Sequence, residues 1–147
     1  MLELLQFYTV PDMDVACSIK WACGIYASSV LLKKNFAEML TWYKDHIFTG
    51  RGRGIYVEEI EQCLRQHEHD MERIKLSQIK LRDACNHSQL ARDTDYLFIF
   101  SEHMCVYRNG YVNERCKDGW VNPLLKESNV KNRRIDEIYK IYKVRPS

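Results

Sequence analysis

The segment VEEIEQCLRQHEHDMERIKLSQIKLRDAC, running from Val57 to Cys85, decides how the chain is read. In it Val57, Ile60, Leu64, His67, Met71, Ile74, Gln78, Leu81 and Cys85 recur at alternating spacings of three and four, the seam of a heptad repeat. Glu58, Glu59 and Glu61 stand near its start and Lys75, Lys80 and Arg82 near its end, the charge order that a helix macrodipole favours. The pattern predicts one long central helix over about 55–86, with a seam that needs a partner surface. His67 and Gln78 interrupt the seam. Polar seam residues can fix register or partner choice, and a histidine there can make association pH-sensitive.

Outward from this segment the punctuation is clear. Thr49-Gly-Arg-Gly-Arg-Gly54 precedes it, and glycines cost about 1 kcal/mol each inside a helix, so this is a break. Before the break Val15, Ile19, Ala22, Tyr26 and Val30 form an amphipathic stripe, which Phe36, Leu40, Tyr43 and Ile47 resume after Lys33-Lys34-Asn35. The spacing predicts helical structure over about 12–48, as one helix with a weak point or as two in succession. It can return antiparallel across the glycine loop and cover the central seam; a second copy of the central helix would serve equally. Trp21 and Trp42 lie beside the stripes as packing anchors.

After the central segment the character turns to strand. Tyr96–Phe100, Met104–Tyr107, Tyr111-Val112 and Trp120-Val121 are β-forming runs, with turn pairs at Asn109-Gly110 and Asp118-Gly119. They predict an antiparallel meander over about 96–121. Ile135, Ile138, Tyr139 and Tyr142 then form the stripe of a C-terminal helix over about 128–143. The expected fold is α+β: a mostly helical single domain over 1–147 with a long central heptad-patterned helix, a small antiparallel β-meander and a basic C-terminal helix.

With 46% hydrophobic and 29% charged residues, the 147-residue chain has the composition of a folded globular protein rather than a disordered one. The net charge of +2 is uneven: residues 126–147 hold seven Lys/Arg against three Asp/Glu, and the rest fifteen against seventeen. A basic tail on a slightly acidic body suits an acidic macromolecular partner. The cysteines at 17, 23, 63, 85, 105 and 116 form no CxxC pair and have mostly apolar neighbours, so they read as reduced packing thiols. No basic leader precedes an apolar run, and Trp21–Leu32 is too short to span a bilayer. An intracellular protein, cytoplasmic or nuclear, is expected.

Three constellations could carry chemistry. Arg51 and Arg53 lie in a glycine-rich loop before a helix start, a natural anion site, although the pattern is neither a P-loop nor a dinucleotide fingerprint. Lys131, Arg133, Arg134, Lys140 and Lys143, interleaved with Tyr139 and Tyr142, could grip a phosphate backbone while a tyrosine stacks on a base. Cys63, His67, His69, His103 and Cys105 are metal-compatible donors, but without a CxxC or HExxH signature no metal or cofactor is expected. A thiol nucleophile would need a cysteine and a histidine paired in space, and the sequence assigns no such pair and no catalytic residue. The leading expectation is therefore a non-enzymatic interaction protein that associates with a protein partner or as a homodimer through Val57, Ile60, Leu64, His67, Met71, Ile74, Gln78 and Leu81. The alternatives are a nucleic-acid-binding protein using the Gly-Arg loop and the basic C-terminal helix, and a small intracellular enzyme.

Overall fold

A computed structural model describes residues 22–47, 55–76, 78–101, 103–114 and 118–144. The first helical stripe divides at the lysine pair. Helix α1 (Cys23–Leu32) closes on Lys33, which is left-handed (φ 55) and returns its N–H to the carbonyls of Ser29 and Val30. Helix α2 (Phe36–His46) is started by Asn35, whose side chain accepts the Glu38 N–H at 2.7 Å. Helix α3 (Val57–Gln66) opens with the Glu59 carboxylate accepting the Tyr56 N–H at 2.9 Å.

The expected central helix does not extend beyond Gln66. Glu68 is left-handed (φ 62), and the chain then runs extended as β1 (His69–Arg73). Two short elements follow, β2 (Ile79–Lys80) and α4 (Leu81–Ala84). The seam is thereby divided: Val57, Ile60 and Leu64 lie on a helix, His67 in a turn, Met71 on a strand, Gln78 in a left-handed loop position, and Leu81 at the start of α4. Long-range pairing overrides the local period, because β1 aligns five residues, His69 to Arg73, antiparallel with Tyr139 to Lys143. The chain is thus neither coiled-coil-like nor mostly helical.

The C-terminal helix is also replaced by a strand. After β3 (Asp95–Phe100), β4 (His103–Arg108), β5 (Tyr111–Asn113) and β6 (Trp120–Val121) come a 3₁₀ turn at Pro123–Leu125, the four-residue α5 (Ser128–Lys131), β7 (Arg134–Ile135) and β8 (Glu137–Lys143). The strands form a six-stranded antiparallel sheet of order β1-β8-β3-β4-β5-β6 and a small β2-β7 pair. Strand β8 lies between β1 and β3, and Ile138 and Ile141, three residues apart, bury on opposite faces. A strand covered on both sides loses the simple alternation that marks a half-buried one.

The sheet has a core on each face. On one, Leu97, Met104, Val106, Ile141 and Met71 pack against Ile25, Met39, Ile60 and Leu64 of the helices. On the other, Tyr96, Phe98, Phe100, Cys105 and Ile138 pack against Leu81, Ala84 and Leu90. The helical layer also holds buried polar contacts: Ser28 Oγ donates to the Gly24 carbonyl at 2.8 Å and shares a 2.7 Å hydrogen bond with Tyr43 Oη. No described helix is long and apolar enough to cross a membrane.

Gly24 fixes the approach of the chain entering α3. A Cβ there would stand 2.6 Å from Ile55 Cβ and 2.9 Å from Ile55 Cγ1, inside contact distance and against the rigid base of a branched side chain. Gly24→Ala should therefore cost about 1–3 kcal/mol through overpacking. Urea unfolding checks this, and a cost under about 0.5 kcal/mol, the level of an ordinary surface change, would contradict the packing described.

Candidate thiol site

The site forms where one end of the sheet meets the start of α1. Cys23 is the first residue of that helix and is half-buried. Strands β4 and β5 are joined through Asn109 and Gly110, both at positive φ, and β5 pairs back along β4 as far as Asn113 opposite Val106. This antiparallel return brings His103, the first residue of β4, to Glu114, the residue after β5. His103 Nε2 donates to Glu114 Oε1 at 3.1 Å. Arg133 Nη1 donates to the same oxygen at 3.3 Å, and its guanidinium lies 4.3 Å above the Phe100 ring. A separate strap ties α1 to β5: Tyr26, one turn beyond Cys23, donates its hydroxyl to Asn113 Oδ1 at 2.6 Å, next to Glu114.

His103 is held as a strong base. Burial acts to lower its pKa, but side-chain hydrogen bonds with Cys23 and Glu114, and then the charges of those groups, outweigh it and raise the value to about 9. The imidazole thus interacts with both a thiol and a carboxylate. The other described cysteines are in a different situation. Burial pushes Cys63 and Cys85 up to about 11 and Cys105 well above its usual range, which keeps them protonated packing groups. Cys23 is half-buried and interacts with the His103 imidazole.

The residues singled out from sequence are scattered. Cys63 and His67 lie near the end of α3, where the His67 Nδ1–H donates to the Cys63 carbonyl at 2.8 Å, while His69 is on β1 and His103 and Cys105 are on β4. Among the described residues no three His, Cys, Asp or Glu side chains are placed to hold a metal ion. Lys131 ends α5, Arg134 is exposed on β7, and Arg133 is engaged by Glu114 and Phe100. Tyr139, Lys140, Tyr142 and Lys143 lie on β8, where successive residues face opposite sides, so they do not share one helical face. Arg51, Arg53, Trp21, Cys17 and Cys116 lie outside the described residues.

Cys23 and Glu114 were not marked by sequence as members of a site. Their signals were faint: a cysteine followed by glycine inside a helical stripe, and an acid closing a β-run. Only the β4–β5 return and the packing of α1 bring them to His103. No family model matches the chain, and no similar curated protein or solved structure is found.

The raised pKa of His103 sets a direction for stability. The folded protein holds the proton more tightly than an unfolded chain whose histidine titrates near 6.5. The stabilisation is therefore complete below about pH 6.5 and is lost as pH rises through about 9. Urea unfolding from pH 6 to 10 should show this decline, with Glu114→Gln flattening it; a wild-type profile that is level or rises across that range would contradict the assignment.

Proposed function

We propose that the protein is a thiol-dependent hydrolase or acyl transferase that cleaves an ester or amide through an acyl-thioester on Cys23. The observation that carries this reading is an imidazole that is bonded to a carboxylate and interacts with the Cys23 thiol, the residue types of a nucleophile–base–orienter arrangement that recurs on unrelated folds. With Nε2 of His103 committed to Glu114, Nδ1 is the nitrogen left for the thiol. Glu114 fixes the ring's orientation and stabilises its protonated form, and Arg133 fixes Glu114.

The chemistry follows in balanced steps. In the reactive form of the pair His103 already carries the proton, as an imidazole that keeps it up to about pH 9 does, and Cys23 carries the negative charge; the sulfur attacks the acyl carbon, forming a C–S bond. The C–N or C–O bond breaks, and His103 returns the proton to the departing amine or alcohol. Water, or another acceptor nucleophile, then gives its proton to His103 and attacks the thioester, releasing the acyl product and restoring the thiol. A reducing intracellular compartment, the setting expected from the unpaired cysteines, would keep Cys23 available.

Alkylation by iodoacetamide tests this reading, with mass spectrometry reporting each cysteine. At pH 6.5 Cys23 should react well ahead of Cys85, and His103→Ala should slow Cys23 at least about tenfold, within the usual range for losing a positioned base. His103→Gln provides a folded control if the alanine variant is unstable. A Cys23 rate equal to that of Cys85, or unchanged in both His103 variants, would overturn the proposal.

A further inference from the structure

At the opposite end of β4 from His103, the sheet opens into a cleft of about 540 Å³ that the thiol site does not use. Arg108, the last residue of β4, lines it, as does Lys33, the cap at the far end of the helix that begins with Cys23. The end of β8 contributes Lys140, Tyr142 and Lys143, and His69 adds an imidazole from the neighbouring strand. These basic groups come from four elements distant in sequence, so the fold gathers a charge cluster that no linear motif displays.

The balance of charge favours an anion. Asp95 is neutralised by Arg108, whose Nε and Nη2 reach its two oxygens, the second at 2.8 Å. Lys33, Lys140 and Lys143 make no ion pair among the described residues, and against these three ammonium groups the cleft presents only one other carboxylate, Asp93. Tyr142, on the same face of β8 as Lys140, has 40% of its surface exposed. The cleft, about 540 Å³, is much larger than an inorganic phosphate.

We propose that this cleft binds single-stranded nucleic acid, with Lys33, Lys140 and Lys143 on successive phosphates and the Tyr142 ring stacked on a base. This is independent of the thiol chemistry and differs from a basic C-terminal helix, since the ligand-facing groups come from both the helical layer and the sheet. A cluster of positive groups with an exposed aromatic ring is the recognition chemistry of single strands, which display both phosphates and unstacked base faces.

Fluorescence anisotropy with a labelled oligothymidylate of about ten nucleotides, at about 50 mM salt, tests the site on the full chain. Binding should weaken steeply with salt, and Lys33→Ala, Lys140→Ala and Lys143→Ala should each reduce the slope of log K against log salt by about 0.7, as expected for one lost single-strand phosphate contact. Tyr142→Ala should weaken binding about fivefold or more, and Tyr142→Phe should restore it. Lys126→Ala, outside the cleft, and Cys23→Ser should bind as wild type. No binding at low salt, equal competition by inorganic phosphate, or binding lost only in an Arg51→Ala/Arg53→Ala variant would overturn the assignment.

Discussion

Two-sided burial of the inner strands is the constraint from which the rest of the structure follows. Phe98 and Leu97, adjacent on β3, are both fully buried because they point to opposite faces, each with its own apolar cover. Burying a side chain of that size is worth about 1.5–3 kcal/mol, so two covered faces give a small domain enough apolar burial to fold around a sheet. They also leave polar side chains little room on the central faces. The charged groups of β4 stand at its ends, His103 at one and Arg108 at the other, and each meets an ionic partner there. Function in such a fold belongs at the sheet's ends.

At the His103 end, several separate contacts converge on a small volume. Glu114 Oε1 receives hydrogen bonds from both His103 and Arg133, and charge-assisted bonds of this kind are stronger than neutral ones and directional. The helix that carries the thiol is positioned by its next turns: Gly24 lets Ile55 lie against it, and Tyr26 reaches across to Asn113. Gly24 and Tyr26 therefore set where Cys23 stands. The buried Ser28 and Tyr43 hydroxyls hold the same helix to α2, which leaves α1 little freedom to shift.

Much of the core was legible in the sequence, but its geometry was only partly so. Ile60, Leu64, Met71 and Leu81 are buried, as a seam would have them, yet a spacing of three and four does not reveal that the chain leaves the helix between Leu64 and Met71. The stop is carried by Glu68 in a left-handed conformation and by pairing with a strand about seventy residues away, neither of which a local period reports. In β8 the Ile and Tyr content was the strand signal, masked by burial on both faces. Asn109-Gly110 was readable because positive φ at both positions is a local property. The thiol site was not readable in this way: Cys23 and Arg133 lie far in sequence from the hairpin that carries His103 and Glu114, and only helix packing and strand register make them neighbours.

The central claim is that His103 is shared between Cys23 and Glu114, and the titration of its ring by NMR measures this directly. With imidazole-labelled protein, His103 should titrate near 9, and Cys23→Ser and Glu114→Gln should each bring it down toward the ordinary 6.5. A His103 that titrates at or below 6.5 in the wild-type protein, or that is indifferent to both substitutions, would contradict the account.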